Sequence, residues 1–115
     1  MAGPVIRISL GFFDAEKREQ VETWLAESRE RLESGIRALN GQRGYFVGVD
    51  RINNAMHNVS FWDSVEDAAQ MATFQPMLDL AHEFLALGAR FQRPILNFDT
   101  LWNLPAESAA GRAPE

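Results

Sequence analysis

The chain has 115 residues, 46% of them hydrophobic, and a net charge of −5 from 16 acidic and 11 basic residues. That length suits one domain with a single core, small enough to leave apolar surface exposed unless a partner covers it. An acidic balance without a basic tract argues against nucleic acid and against anionic membrane surfaces, and the absence of cysteine removes disulfides, thiolate catalysis and cysteine-ligated metals.

The first residues, Met1 to Pro4, lack the charged and apolar regions of a signal peptide, and no apolar run has the length to span a bilayer. The cytoplasm is the expected compartment. From Val5 to Phe13, Ile6, Ile8, Leu10 and Phe12 alternate with Arg7, Ser9 and Gly11, the period of a half-buried strand. With the first set turned toward the helices, the far face carries Val5, Arg7, Ser9 and Phe13.

Asp14 then reads as an N-cap. Val21, Trp24, Leu25, Ser28, Leu32, Ile36 and Leu39 recur at helical spacing, opposite Glu27/Arg31 and Glu33/Arg37. The stripe predicts a helix of about 25 residues, ended by Asn40-Gly41. Gly44 to Arg51 reads as a second strand, Asn53-Asn54 as a turn and Met56 to Trp62 as the return strand. Ser64 is the expected N-cap of the next helix, with Asp67 as its capping partner. Pro76 divides that helix, so a break is expected near Thr73–Gln75 before a second piece from Pro76 to Leu87. A last strand is expected from Phe91 or Ile95 to Leu104. Residues 105–115 lack periodicity and read as a disordered tail, leaving a domain over 1–104.

This order is βαββαβ. Two right-handed crossovers sharing a hairpin define an α+β, ferredoxin-like domain: a four-stranded antiparallel sheet with two helices on one face. The opposite sheet face is uncovered and not fully polar. A homodimer packing two such faces together, a dimeric α/β barrel, is the simplest closure.

The block from Asn58 to Ala68, Asn-Val-Ser-Phe-Trp-Asp-Ser-Val-Glu-Asp-Ala, resembles the strand-to-helix junction of the antibiotic-biosynthesis-monooxygenase-like dimeric α+β barrel proteins. The element order matches over about residues 4–104. The resemblance implies a cofactor-independent oxygenase acting on a small aromatic or polyketide-like substrate, or else a non-catalytic dimeric ligand-binding or accessory domain. In the haem-degrading branch it implies an Asn on the first strand, a Trp on the second helix and a His farther along. Ile8 and Met71 stand near the first two positions and only His82 matches, so haem degradation is disfavoured and haem binding through His82 stays open.

The pocket candidates are Trp62, Phe74, His82, Met71 and Asn58; no residue is assigned a catalytic role and no cofactor is expected. Two of them also have a plainer structural reading, Trp62 as a plug of the barrel end and His82 as a boundary histidine. Trp24 and Trp102 read as core. His57 and His82 lack metal-ligand spacing, so no metal is expected. Arg7, Ser9, Asn58, Ser60, Asn97 and Asp99 would form a polar patch near the dimer interface if they share an inner face, and Tyr45, early on an edge strand, could be a phenol donor in a pocket.

Overall fold

A computed structural model describes residues 3–104; the segment 105–115, expected as a disordered tail, lies outside the described residues. Along the chain come β1 (Val5–Phe12), a 3-10 turn (Ala15–Lys17), α1 (Arg18–Arg37), β2 (Gln42–Asp50) and β3 (Ala55–Trp62). Then follow α2 (Val65–Ala69), a second 3-10 turn (Gln70–Thr73), α3 (Gln75–Ala86), β4 (Arg90–Phe91) and β5 (Leu96–Asp99). The sheet order is β2-β3-β1-β4, with β5 also on β1, and every pairing is antiparallel. This is the ferredoxin-like α+β arrangement.

The sheet has five strands rather than four because the last one is divided. Gly11 and Phe12 pair with β4, whereas Val5 to Ile8 pair with β5. Pro94 lies between the two pieces and has no N–H to give the ladder. The paired segment ends at Asp99, short of the expected Leu104. Trp102 lies beyond it and is 78% exposed, not core.

Helix α1 has 20 residues, fewer than expected, because a 3-10 turn over Ala15–Lys17 takes the place of its first turn. Asp14 makes no side-chain cap; its carboxylate faces Arg90 at 3.3 Å. Glu33 bonds both Arg29 (2.7 Å) and Arg37 (3.1 Å) on the outer face. Arg31 turns instead to Glu83 on α3 in a two-pronged pair at 2.9 and 2.6 Å, tying the helices together. Ser64 caps α2, its hydroxyl accepting from the Asp67 N–H at 3.0 Å. The break falls where Pro76 requires it: Phe74 is extended (φ −76°, ψ 102°) and Pro76 sits in the first turn of α3.

The strand faces reverse the expectation for β1. Val5, Arg7, Gly11 and Phe13 are buried, and Val5 and Phe13 pack into the helix-side core with Trp62, Met71, Leu32 and Phe84. Ile6, Ile8, Leu10 and Phe12 therefore look away from the helices. Alternation identifies which residues share a face; it does not say which face the helices cover.

Phe74 clasps this break against α1. It packs on both core clusters, and a Cβ added at Gly35 would lie 2.6 Å from its ring. An Ala in place of a helical Gly ordinarily gains about 0.5–1 kcal/mol. Here the displaced ring outweighs that gain. Gly35→Ala should therefore lower stability in chemical denaturation by about 1 kcal/mol or more. In a Phe74→Ala background the same substitution should raise stability.

Candidate functional site

Between the inner sheet face and helices α1 and α3 lies a cavity of about 300 Å³. Its position follows from the pleat of β1 and β3. Arg7 stands opposite Ser60 and Asn97, Ser9 opposite Asn58, and Val5 opposite Asp99, so the polar positions of three strands share one face. That face is the one beneath the helices. Arg7, Ser9 and Asn58 form the cavity floor. Leu25 and Leu32 of α1, Met71, and Leu80 and Phe84 of α3 supply apolar walls, and Arg93 stands at the margin beside Phe91.

The floor is incompletely satisfied. The Asn58 side-chain amide donates to the Tyr45 hydroxyl, leaving its buried Oδ1 without a partner. Turning the amide over would only exchange which end is bonded, since the phenol offers one oxygen. An unmatched buried polar atom of this kind costs about 1–3 kcal/mol. Burial pushes the Tyr45 phenol up to about 12, with the Asn58 hydrogen bond and the nearby Arg7 working against it. Tyr45 is thus a neutral hydrogen-bonding group at physiological pH.

Arg7 is only 8% exposed. Burial lowers its pKa, Tyr45 counters the shift and neighbouring Arg93 adds to it. Among the described residues no carboxylate lies within ion-pair distance of its guanidinium. A wider, open groove of about 840 Å³ runs between α1 and β2. It is bordered by the paired side chains of Arg29, Glu33 and Arg37, and the buried orphan atom of Asn58 does not open on it.

The five pocket candidates divide. Met71 and Asn58 line the cavity. Trp62 is fully buried in the core behind it, its indole N–H donating to Ser60 at 2.8 Å. Phe74 belongs to the clasp on Gly35, and His82 is exposed on α3, outside the lining. His57 lies opposite Leu10 and so faces away from the cavity. No cluster of three metal-ligating side chains occurs among the described residues, and no helix there is long and apolar enough to cross a membrane. Arg93 and the walls from Leu25, Leu32 and Phe84 were not legible as site residues. They come from three separate elements, and at helical spacing such leucines read as core.

No family model matches the chain, and no curated protein matches it by sequence. Solved structures do. One from Deinococcus radiodurans, described as a "putative antibiotic biosynthesis monooxygenase", superposes with a TM-score of 0.68 at 13% identity, over 90% of this chain and 99% of that one. A dimeric ferredoxin-like protein from an uncultured marine organism gives 0.62 at 15% identity, over 92% and 100%. A protein from Bordetella bronchiseptica with the same description as the first gives 0.57 at 18% identity, over 89% and 99%. At these identities the likeness is one of fold. The chain has the ferredoxin-like fold that the proteins described as antibiotic biosynthesis monooxygenases share.

Because the chain has a single tyrosine, phenolate absorbance reports Tyr45 alone. An alkaline titration should show its midpoint near 12, against about 10 for an unburied phenol. The native pKa is the raised one. The contribution of Tyr45 to stability is therefore intact below pH 10 and lost as pH rises toward 12. In denaturant melts, Tyr45→Phe should remove that part of the alkaline loss. A midpoint near 10 in the folded protein would contradict the burial of the hydroxyl.

Proposed function

We propose that the protein is a cofactor-independent monooxygenase that takes a small aromatic substrate into the cavity between sheet and helices and works as a homodimer. The supporting observation is the cavity itself, with apolar walls on most sides and a floor where the buried Asn58 Oδ1 lacks a partner. Ligand sites have this composition, and about 300 Å³ is the lower end of their range.

The chemistry needs little from the protein. A ring CH₂ flanked by carbonyl or phenol groups loses a proton to give a delocalised carbanion, which reacts with dioxygen. One oxygen atom becomes a ring carbonyl and the other leaves as water, so dioxygen is the only oxidant and no external reductant is consumed. The chain supplies enclosure and orientation. Asn58, steadied by Tyr45, and Ser9 meet the substrate's oxygens, Met71 packs on its ring, and Trp62 and Phe74 hold that wall from behind.

Homodimerisation is supported by the uncovered sheet face. Ile6, Phe61 and Phe98 stand opposite one another across three strands, as do Ile8, Val59, Phe46 and Leu96 across four. Phe46 is 63% exposed and Phe98 50%. Apolar faces of this extent are rarely left to water, and a two-fold partner presenting the same face covers both.

Oxygen uptake with a panel of substituted anthrones, each carrying the ring CH₂ that this step requires, tests the catalytic reading. Uptake should exceed the spontaneous rate with at least one of them, and Asn58→Leu should lower that excess by about tenfold or more. Uptake at the spontaneous rate throughout would reject it. Light scattering tests the assembly. At micromolar concentration the mass should be twice the 13.0 kDa of the chain, and Phe98→Glu should return it to one chain.

A further inference from the structure

We propose that the ligand of this cavity is a small aryl carboxylate whose carboxylate lies between Arg7 and Arg93, an inference that rests on the reading of the cavity as a ligand site. Arg29, Arg31, Arg37, Arg43, Arg51 and Arg90 all have carboxylate partners on the surface. Arg7, the buried one, has none among the described residues. It stands on the central strand of the sheet, more than nine-tenths buried, and lines the cavity.

A buried guanidinium without a counter-ion is unfavourable, and a second cation beside it makes it more so. Arg93 is that second cation. It lines the same cavity, held over the Phe91 ring with its guanidinium carbon 5.3 Å from the centroid, and its charge is felt at Arg7. The acidic position nearest in register, Asp99, faces Val5 and makes no ion pair with Arg7. An entering carboxylate relieves both cations at once, and the planar fork of arginine matches it in two-pronged fashion.

The rest of the cavity sets the remainder of the ligand. Its walls are thioether, leucine and phenylalanine side chains, which suit an aromatic body. About 300 Å³ holds one or two rings. The unpartnered Asn58 Oδ1 accepts a hydrogen bond, so a ring hydroxyl adds affinity.

Calorimetry at pH 7 and low salt with 2-naphthoate and its neutral counterpart 2-naphthalenemethanol tests this. Wild type should bind the carboxylate about tenfold more tightly or better, with shifts of the methyl resonances of Met56 and Met71, which both line the cavity, placing it there. Arg7→Met should cost the carboxylate about tenfold and leave the alcohol within about threefold. Arg93→Met, at an exposed position that leaves the core intact, should weaken the carboxylate selectively as well. If the alcohol binds as well as the carboxylate, or if neither substitution discriminates between them, the anion assignment is overturned while the cavity stands as a ligand site. If neither probe binds, both readings fall.

Discussion

Strand β1 is hydrogen-bonded on both sides, to β3 along its whole length and to β4 and β5 on the other edge. Its pleat consequently sets the facing of the entire sheet. Slipping it by one residue would turn every neighbour's pairing over. With Val5, Arg7, Ser9 and Gly11 inward, Asn58 and Ser60 of β3 must be inward too, and Phe61 and Val59 must be outward. One register thus builds both surfaces of interest: a floor containing a cation and amides beneath the helices, and an apolar sheet face on the other side.

Such an arrangement runs against simple hydrophobic economy. The apolar set of β1 would bury well under the helices, and the arginine would be solvated on the far side. The inverse is stable only if something covers the outer face and if the inner polar groups have partners. In the functional reading proposed above, a second copy of the chain would meet the first condition and an anionic, hydrogen-bonding ligand the second. Both readings of function therefore arise from the same inversion, one on each side of the sheet.

The helices keep the inner volume from collapsing. Phe74 and the Pro76 break shorten α2 and offset α3, and the Phe74 ring seated on Gly35 maintains the spacing to α1. The pair between Arg31 and Glu83 joins α1 to α3 on the outside. Its surface exposure limits its energetic weight, and its role is mainly to set the orientation of the two helices. Trp62 and Ser60 close the far end of the core with a fully buried hydrogen bond.

Local patterns in the sequence determined much of this protein. Period-two and helical spacing placed the strands and helices, the Ser64 cap and Pro76 break followed from backbone chemistry, and the element order implied the ferredoxin-like topology. Met71 and Asn58, singled out beside the Trp62 junction, line the cavity. Only the tertiary structure decided the rest. It divided the last strand, left Trp102 exposed and set His82 outside the cavity, because those outcomes depend on which elements approach each residue. Above all it decided the side of the sheet on which the helices lie. A strand's alternation is symmetric between its two faces, so it can group Arg7 with Ser9 but cannot say that their common face is the inside.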